Sequence, residues 1–305
     1  MEELVGLLDT IYFRTGLRLG LAALVAGWIL SLALGRKRPP LPIGGLLIAA
    51  AAVGGLYLVA EPLDSAFSGL GLILAGALIT RIASVPRWVQ PLAVLPGAIW
   101  IAAGTPVTEL GWVRVLMAVL IPLGGYLIAD FEMRYDRLGL GVIFFTLAAF
   151  GVFASVPDTE EALLLAALVI PVSLLAWPKV RVSLGPEGAY LAVAMFLWVV
   201  AAGGGGRPGS IVGASATLGL LLLEPLVVAF KPFAAQAMTW VTERFAAAVM
   251  ASIPQLFVVV LTSRVAARFE QEWSALVVVV LVYTATVTAA WMLVARGLDA
   301  RQSPS

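Results

Sequence analysis

The 305-residue sequence contains no cysteine, no histidine and only three lysines, and Asp, Glu, Lys and Arg together make up just 12% of it. Each absence narrows the chemistry. Without cysteine there are no disulfides, thiolate metal sites or thiol nucleophiles. Without histidine there is no imidazole for a His-ligated haem, a two-histidine zinc site or a Ser-His-Asp triad. Acid–base work is left to carboxylates, Arg, Lys or Tyr. The formal net charge is +1 and no basic tract occurs, which gives nucleic acid no footing. Long polar segments are missing too. The longest, near 179–188 and 203–210, run to about ten residues and leave no room for a soluble domain. The opening Met1-Glu-Glu-Leu-Val-Gly-Leu-Leu-Asp9 is acidic, with no basic n-region or small-residue cleavage site, so it is not expected to be a secretory signal.

Apolar residues are abundant: 61% of the chain, against roughly 45–50% in soluble domains. Lipid is the natural solvent for such a composition. Taking about 20 mostly apolar residues per crossing, the sequence predicts eleven spans at roughly 15–35, 41–60, 66–85, 88–107, 110–129, 138–156, 162–178, 188–204, 210–230, 245–267 and 274–295. The expected fold is all-α, a polytopic integral membrane bundle forming a single transmembrane domain over 1–305. Residues 2–13, with Leu4, Leu7, Leu8 and Ile11 at helical spacing, read as an amphipathic interfacial helix. Residues 232–244, with Phe233, Trp240 and Glu243-Arg244, read as a second one.

Cationic residues in the turns set an orientation. With these spans, thirteen of the basic residues fall on one side, including Lys37, Lys179 and Lys231, and six fall on the other. The poorer side also carries Glu61, Asp64, Glu109, Asp158, Glu160, Glu161, Glu270 and Glu272. The pattern predicts an N-out, C-in protein, expected in a bacterial cytoplasmic membrane.

Three places stand out as candidate sites. The stretch Asp130-Phe-Glu-Met-Arg-Tyr-Asp-Arg137 puts five charges into eight residues between two apolar runs. Asp130, Glu132 and Asp136 suit Mg²⁺, which takes a few carboxylates together with phosphate oxygens. The spacing departs from the NDxxDxxxD-like motifs of UbiA-type membrane prenyltransferases and from the DDxxD-like motif of the polyprenyl-phosphate sugar-phosphate transferases. No Asn-Asp pair precedes it and no second Asp-rich motif follows. A solvated turn with Asp130 and Arg134 at i,i+4 explains the same residues.

The second place is Glu224, in Leu-Leu-Leu-Glu224-Pro225, about two helical turns from Lys231. An intramembrane carboxylate is costly and suggests function by default. The adjacent Pro225 frees a carbonyl to line a cavity. Proton coupling or cation binding fits such a group; an ion pair with a neighbouring helix is the structural alternative.

The third is a set of arginines on the lysine-free side: Arg14, Arg18, Arg114, Arg207, Arg264 and Arg268. Arg14 with Arg18 and Arg264 with Arg268 each share a helix face. Arg207 lies in the glycine-rich turn Gly203-Gly-Gly-Gly-Arg207-Pro-Gly-Ser210, whose backbone amides can form an anion nest. Arginine forks suit phosphate or carboxylate. The structural alternative is snorkelling side chains neutralised by Glu109, Glu270, Glu272 or lipid phosphate.

Proline and glycine interrupt many spans, at Pro91, Pro96-Gly97, Pro122-Leu-Gly-Gly125, Pro171, Pro225, Pro254 and Gly54-Gly55, as in transporters built from broken helices. Small-residue faces such as Gly16-x-x-x-Gly20 and Ser215-x-x-x-Gly219 predict close helix packing. These features point first to a transporter or flippase for an anionic, lipid-linked substrate of polyprenyl-phosphate type, without cofactor. Glu224 would couple it to protons and the outer arginines would bind the anion. A Mg²⁺-dependent membrane transferase using Asp130, Glu132 and Asp136, or a non-catalytic membrane subunit, are the alternatives.

Overall fold

The computed structural model describes residues 10–34, 44–59, 64–83, 85–105, 111–134, 140–156, 160–176, 182–203, 248–269, 273–282 and 284–285. The span expected at 210–230, with Glu224, lies outside them. So do Arg207, Asp136, the interfacial helix at 232–244 and residues 2–9 of the first interfacial helix.

The described residues form helices α1 (Ile11–Leu34), α2 (Gly44–Val59), α3 (Asp64–Ile82), α4 (Gln90–Gly104), α5 (Gly111–Arg134), α6 (Leu140–Ser155), α7 (Glu160–Val172), α8 (Gly185–Gly203) and α9 (Ala248–Ala266). A further helix, α10, covers Trp273–Val282. Short 3₁₀ turns, Arg87–Val89 and Ser173–Ala176, lead into α4 and out of α7. The fold is all-helical. Among the described residues three helices are long and apolar enough to cross a membrane: α1, α5 and α8. Helices α2, α4, α6 and α7 are shorter. At 1.5 Å per residue, the 16 residues of α2 reach about 24 Å, less than the roughly 30 Å of a hydrocarbon core.

The helix starts follow from local chemistry. Thr10 caps α1, its Oγ1 accepting from the Phe13 amide at 3.3 Å. The helix therefore begins at Ile11, so residues 11–13, expected to end a separate interfacial helix, are instead its first turn. Pro91 sits in the first turn of α4, where a missing N–H costs nothing. Glu160 and Glu161 occupy the first turn of α7, complementing its dipole.

The prolines expected to break helices do not do so in α4 and α5, which run continuously through Pro96 and Pro122. Among the described helices only α7 changes, tightening to a 3₁₀ turn just after Pro171. The stretch Pro122-Leu-Gly-Gly125 serves packing. A Cβ on Gly125 would lie 2.1 Å from the Tyr190 ring of α8, so the missing side chain is what lets that ring in.

Packing radiates from α8. In the apolar window of this helix 89% of residues are buried, against 22% in α1. Helices α2 to α7 all pack against it. Tyr190 and Phe196 of α8 and Phe145 of α6 are among the largest fully buried side chains of the core, the two phenylalanines with ring centroids 5.0 Å apart. The outermost helices turn large apolar side chains outward, among them Leu21, Val25, Ile29 and Leu32 of α1. Gly16 and Gly20 bring α1 onto α7 as their spacing predicts. A Cβ at either would lie 2.3 or 2.4 Å from the carbonyl of Leu164 or Leu168. The α3–α4 hairpin is equally close, with Gly76 against the Ala93 carbonyl and Gly97 against the backbone of Ile73 and Gly69.

Candidate functional site at the head of the central helix

The central helix enters through Val182-Ser-Leu-Gly-Pro-Glu-Gly188. Gly185 has φ 73°, a conformation that costs any residue with a Cβ. Pro186 then fixes the first helical turn. This reversal aims two successive amides at one point, as in an anion-binding nest. The occupant is Glu132, from the last turn of α5. Its Oε1 accepts from the Leu184 amide and its Oε2 from the Gly185 amide, each at 2.8 Å. Gly141, near the start of α6, lies against the same carboxylate. A Cβ at Gly141 would stand 2.4 Å from Oε1, so only glycine admits the carboxylate here. Glu132 is 3% exposed. A buried carboxylate is sustained only when hydrogen bonds replace its water, and here the start of α8 supplies them.

The carbonyls of the same segment are also satisfied. Ser183 and Leu184 accept from the Gly44 and Gly45 amides at 2.9 and 2.8 Å, which meets two of the orphan donors that open α2. The two helix heads then cross with backbone touching backbone. A Cβ on Gly45 would lie 2.2 Å from the Gly188 Cα, and one on Gly188 2.1 Å from the Gly45 Cα. Non-helical chain inside a membrane bundle is tolerated where neighbours satisfy its polar groups, and this segment meets that condition.

In the first turn of α8, Glu187 extends toward α3. Its Oε1 accepts from Arg81 Nη1 at 3.0 Å, with Glu187 1% exposed and Arg81 44% exposed. Glu187 Oε2 is buried with no hydrogen-bond partner among the described residues. The pair joins the C-terminal turn of α3 to the N-terminal turn of α8, so each charge also complements its helix dipole. Two buried carboxylates thus lie at one end of α8 with different standing. Glu132 is saturated by backbone. Glu187 is half-satisfied and tied to a cation that reaches the outside of the bundle.

Sequence reasoning singled out Glu132 as a Mg²⁺ ligand beside Asp130 and Asp136. In the structure both Glu132 oxygens face backbone amides, Asp130 is half-buried, and Asp136 lies outside the described residues. Among the described residues no group of three His, Cys, Asp or Glu side chains is placed to hold a metal ion. The outer arginines are dispersed. Arg14 and Arg18 are exposed on α1, Arg264 and Arg268 at the end of α9, and Arg114 near the start of α5. Arg114 donates to the Thr105 carbonyl at 3.2 Å, closing the end of α4. These helices pack mainly on different partners, α1 on α7, α5 on α8 and α9 on α6.

The Ser173 and Thr284 hydroxyls donate to the carbonyls of Ile170 and Val280, three and four residues earlier in the chain. Glu187 and Arg81 escaped notice as a site. The one available signal was Leu184-Gly-Pro-Glu-Gly188, a turn-and-cap sequence with an acid in the first helical turn. No protein family, curated protein or solved structure matches this chain.

Proposed function

We propose that the chain is an integral membrane transporter or flippase for an anionic, lipid-linked substrate of polyprenyl-phosphate type. It sits in a bacterial cytoplasmic membrane as eleven helices, N-out and C-in. The observation that carries this reading is the Arg81–Glu187 pair. A transporter needs an interior element whose hold on its neighbours can be exchanged. The head of α8 is latched to α3 by one charge pair, with one carboxylate oxygen unmet. Opening the latch strands no cation in hydrocarbon, because Arg81 already reaches the outside. In this scheme Arg14, Arg18, Arg114, Arg207, Arg264 and Arg268 gather the anionic group at the opposite end, and Glu224 couples movement to protons.

The test is native mass spectrometry of the full chain purified in mild detergent. A retained polyprenyl phosphate or lipid-linked sugar is the expected result. Its movement across reconstituted vesicles should then depend on pH and fail in Glu224→Gln. Retention of ordinary phospholipids alone, or full pH-dependent transport by the Gln variant, overturns the reading at the substrate or at the coupling step.

A further inference from the structure

The α3–α4 hairpin carries positive charge with almost nothing to balance it. The turn is tight: the Val85 amide donates to the Thr80 carbonyl at 3.1 Å and the Val89 amide to the Pro86 carbonyl at 2.9 Å. It therefore brings Arg81, in the last turn of α3, and Arg87, opening the 3₁₀ turn, to one end of the hairpin. Both are exposed. Between Asp64 and Glu109 the sequence has no acidic residue. Arg81 gives one N–H to Glu187. Its other donors, and all those of Arg87, have no partner among the described residues. Among the described residues the two arginines and Glu187 leave one positive charge uncompensated.

Large apolar side chains surround these cations at the surface: Ile79 is 63% exposed, Ile82 81%, Trp88 68% and Leu92 60%. Cations set among outward apolar groups, with a tryptophan at their level, match the chemistry of a lipid headgroup above its chains. A free phosphate would leave the apolar groups without a role. A protein partner would have to bury them against a matching surface, and the missing negative charge is what a lipid phosphodiester brings.

We propose that the α3–α4 hairpin binds one anionic phospholipid. Its phosphate is held between Arg81 and Arg87, and its chains lie against Ile79, Ile82, Trp88 and Leu92. The site is independent of the transport reading. Because the phosphate takes the Arg81 donors that Glu187 does not use, bound lipid also steadies the pair that holds the head of α8.

The experiment uses the full chain, delipidated in detergent and titrated with phosphatidylglycerol or phosphatidylcholine, with bound lipid counted by native mass spectrometry. Phosphatidylglycerol should be retained over phosphatidylcholine. Arg87→Gln should lower its retention about five-fold, the scale of one arginine at an anionic lipid surface. Trp88→Ala should lower it as well, whereas Trp100→Ala, at another outward tryptophan toward the other end of α4, should not. Equal retention of the two lipids, an unaffected Arg87→Gln variant, or displacement of phosphatidylglycerol by millimolar inorganic phosphate overturns the proposal. If transport of a lipid-linked substrate fails to appear but phosphatidylglycerol selectivity persists and depends on Arg87, this site stands without the transport reading.

Discussion

At the scale of single residues, the two buried glutamates separate fixed structure from exchangeable structure. Glu132 makes two bonds to backbone amides, one from each oxygen. A hydrogen bond to a charged group contributes about 1.5–3 kcal/mol, and deleting one side leaves buried donors unmet. Glu132→Ala should therefore cost about 3–5 kcal/mol, and Glu132→Gln, which keeps one acceptor, about half of that. Unfolding midpoints in mild detergent would show the order; equal midpoints for wild type and Glu132→Ala would contradict the capping role.

The Arg81–Glu187 pair should behave asymmetrically. Arg81 is 44% exposed, so solvent or headgroups screen the pair and the attraction itself is worth about 1 kcal/mol or less. Glu187→Gln should accordingly be mild. Arg81→Gln leaves Glu187 charged and buried without a cation, which costs more, about 2–3 kcal/mol after allowing for exposure. The double variant should recover most of the loss. If the two single variants cost the same and simply add, the buried acid does not depend on Arg81.

At the scale of elements, glycine governs the fold where backbones meet. Gly45 and Gly188 are in mutual contact at the crossing of α2 and α8, whereas nothing lies within 4 Å of a Cβ built on Gly54, in the middle of α2. Gly45→Ala should cost about 3 kcal/mol or more, the upper end of overpacking penalties, because the atoms in the way are backbone and cannot swing aside. Gly188→Ala should do the same, and the pair should fall well short of additive since both break one contact. Gly54→Ala should be neutral or stabilising by up to about 1 kcal/mol. Thermal unfolding of the four variants in one detergent tests this, and a destabilised Gly54→Ala would refute the contrast.

Much of this level was legible in the sequence. Apolar runs placed the starts of the described helices to within a few residues, because lipid solvation selects long apolar stretches whatever their partners. The Gly16-x-x-x-Gly20 face was legible because spacing alone puts both glycines on one side. Pro122-Leu-Gly-Gly125 was not, since a slot and a kink have the same composition until Tyr190 is seen in it. The roles of Glu132 and Glu187 were hidden for a related reason. Each depends on partners 52 and 106 residues away in sequence, and local spacing carries no trace of such distances.

At the scale of the whole molecule, the observed contacts and the distribution of charge make the same demand. If successive helices alternate in direction, the ends of α3 and α5 and the starts of α2, α6 and α8 must share one face. Those are the ends that Arg81, Glu187, Glu132, Gly45 and Gly141 join. It is also the face to which the sequence assigns thirteen basic residues and all three lysines, so the positive-inside tendency would make it cytoplasmic. The lack of cysteine makes this testable without background labelling. Ala83→Cys places a thiol in the exposed turn after α3, and Gly111→Cys places one at the exposed start of α5, where nothing crowds it. The two positions flank α4. With a membrane-impermeant maleimide on intact spheroplasts, Gly111→Cys should label at once and Ala83→Cys only after the membrane is opened. Reversed labelling would invert the orientation and carry the Arg81–Glu187 latch to the outer face. Labelling of both from one side would mean that α4, only 15 residues long, enters the bilayer without crossing it, and the eleven-helix topology would fall with it.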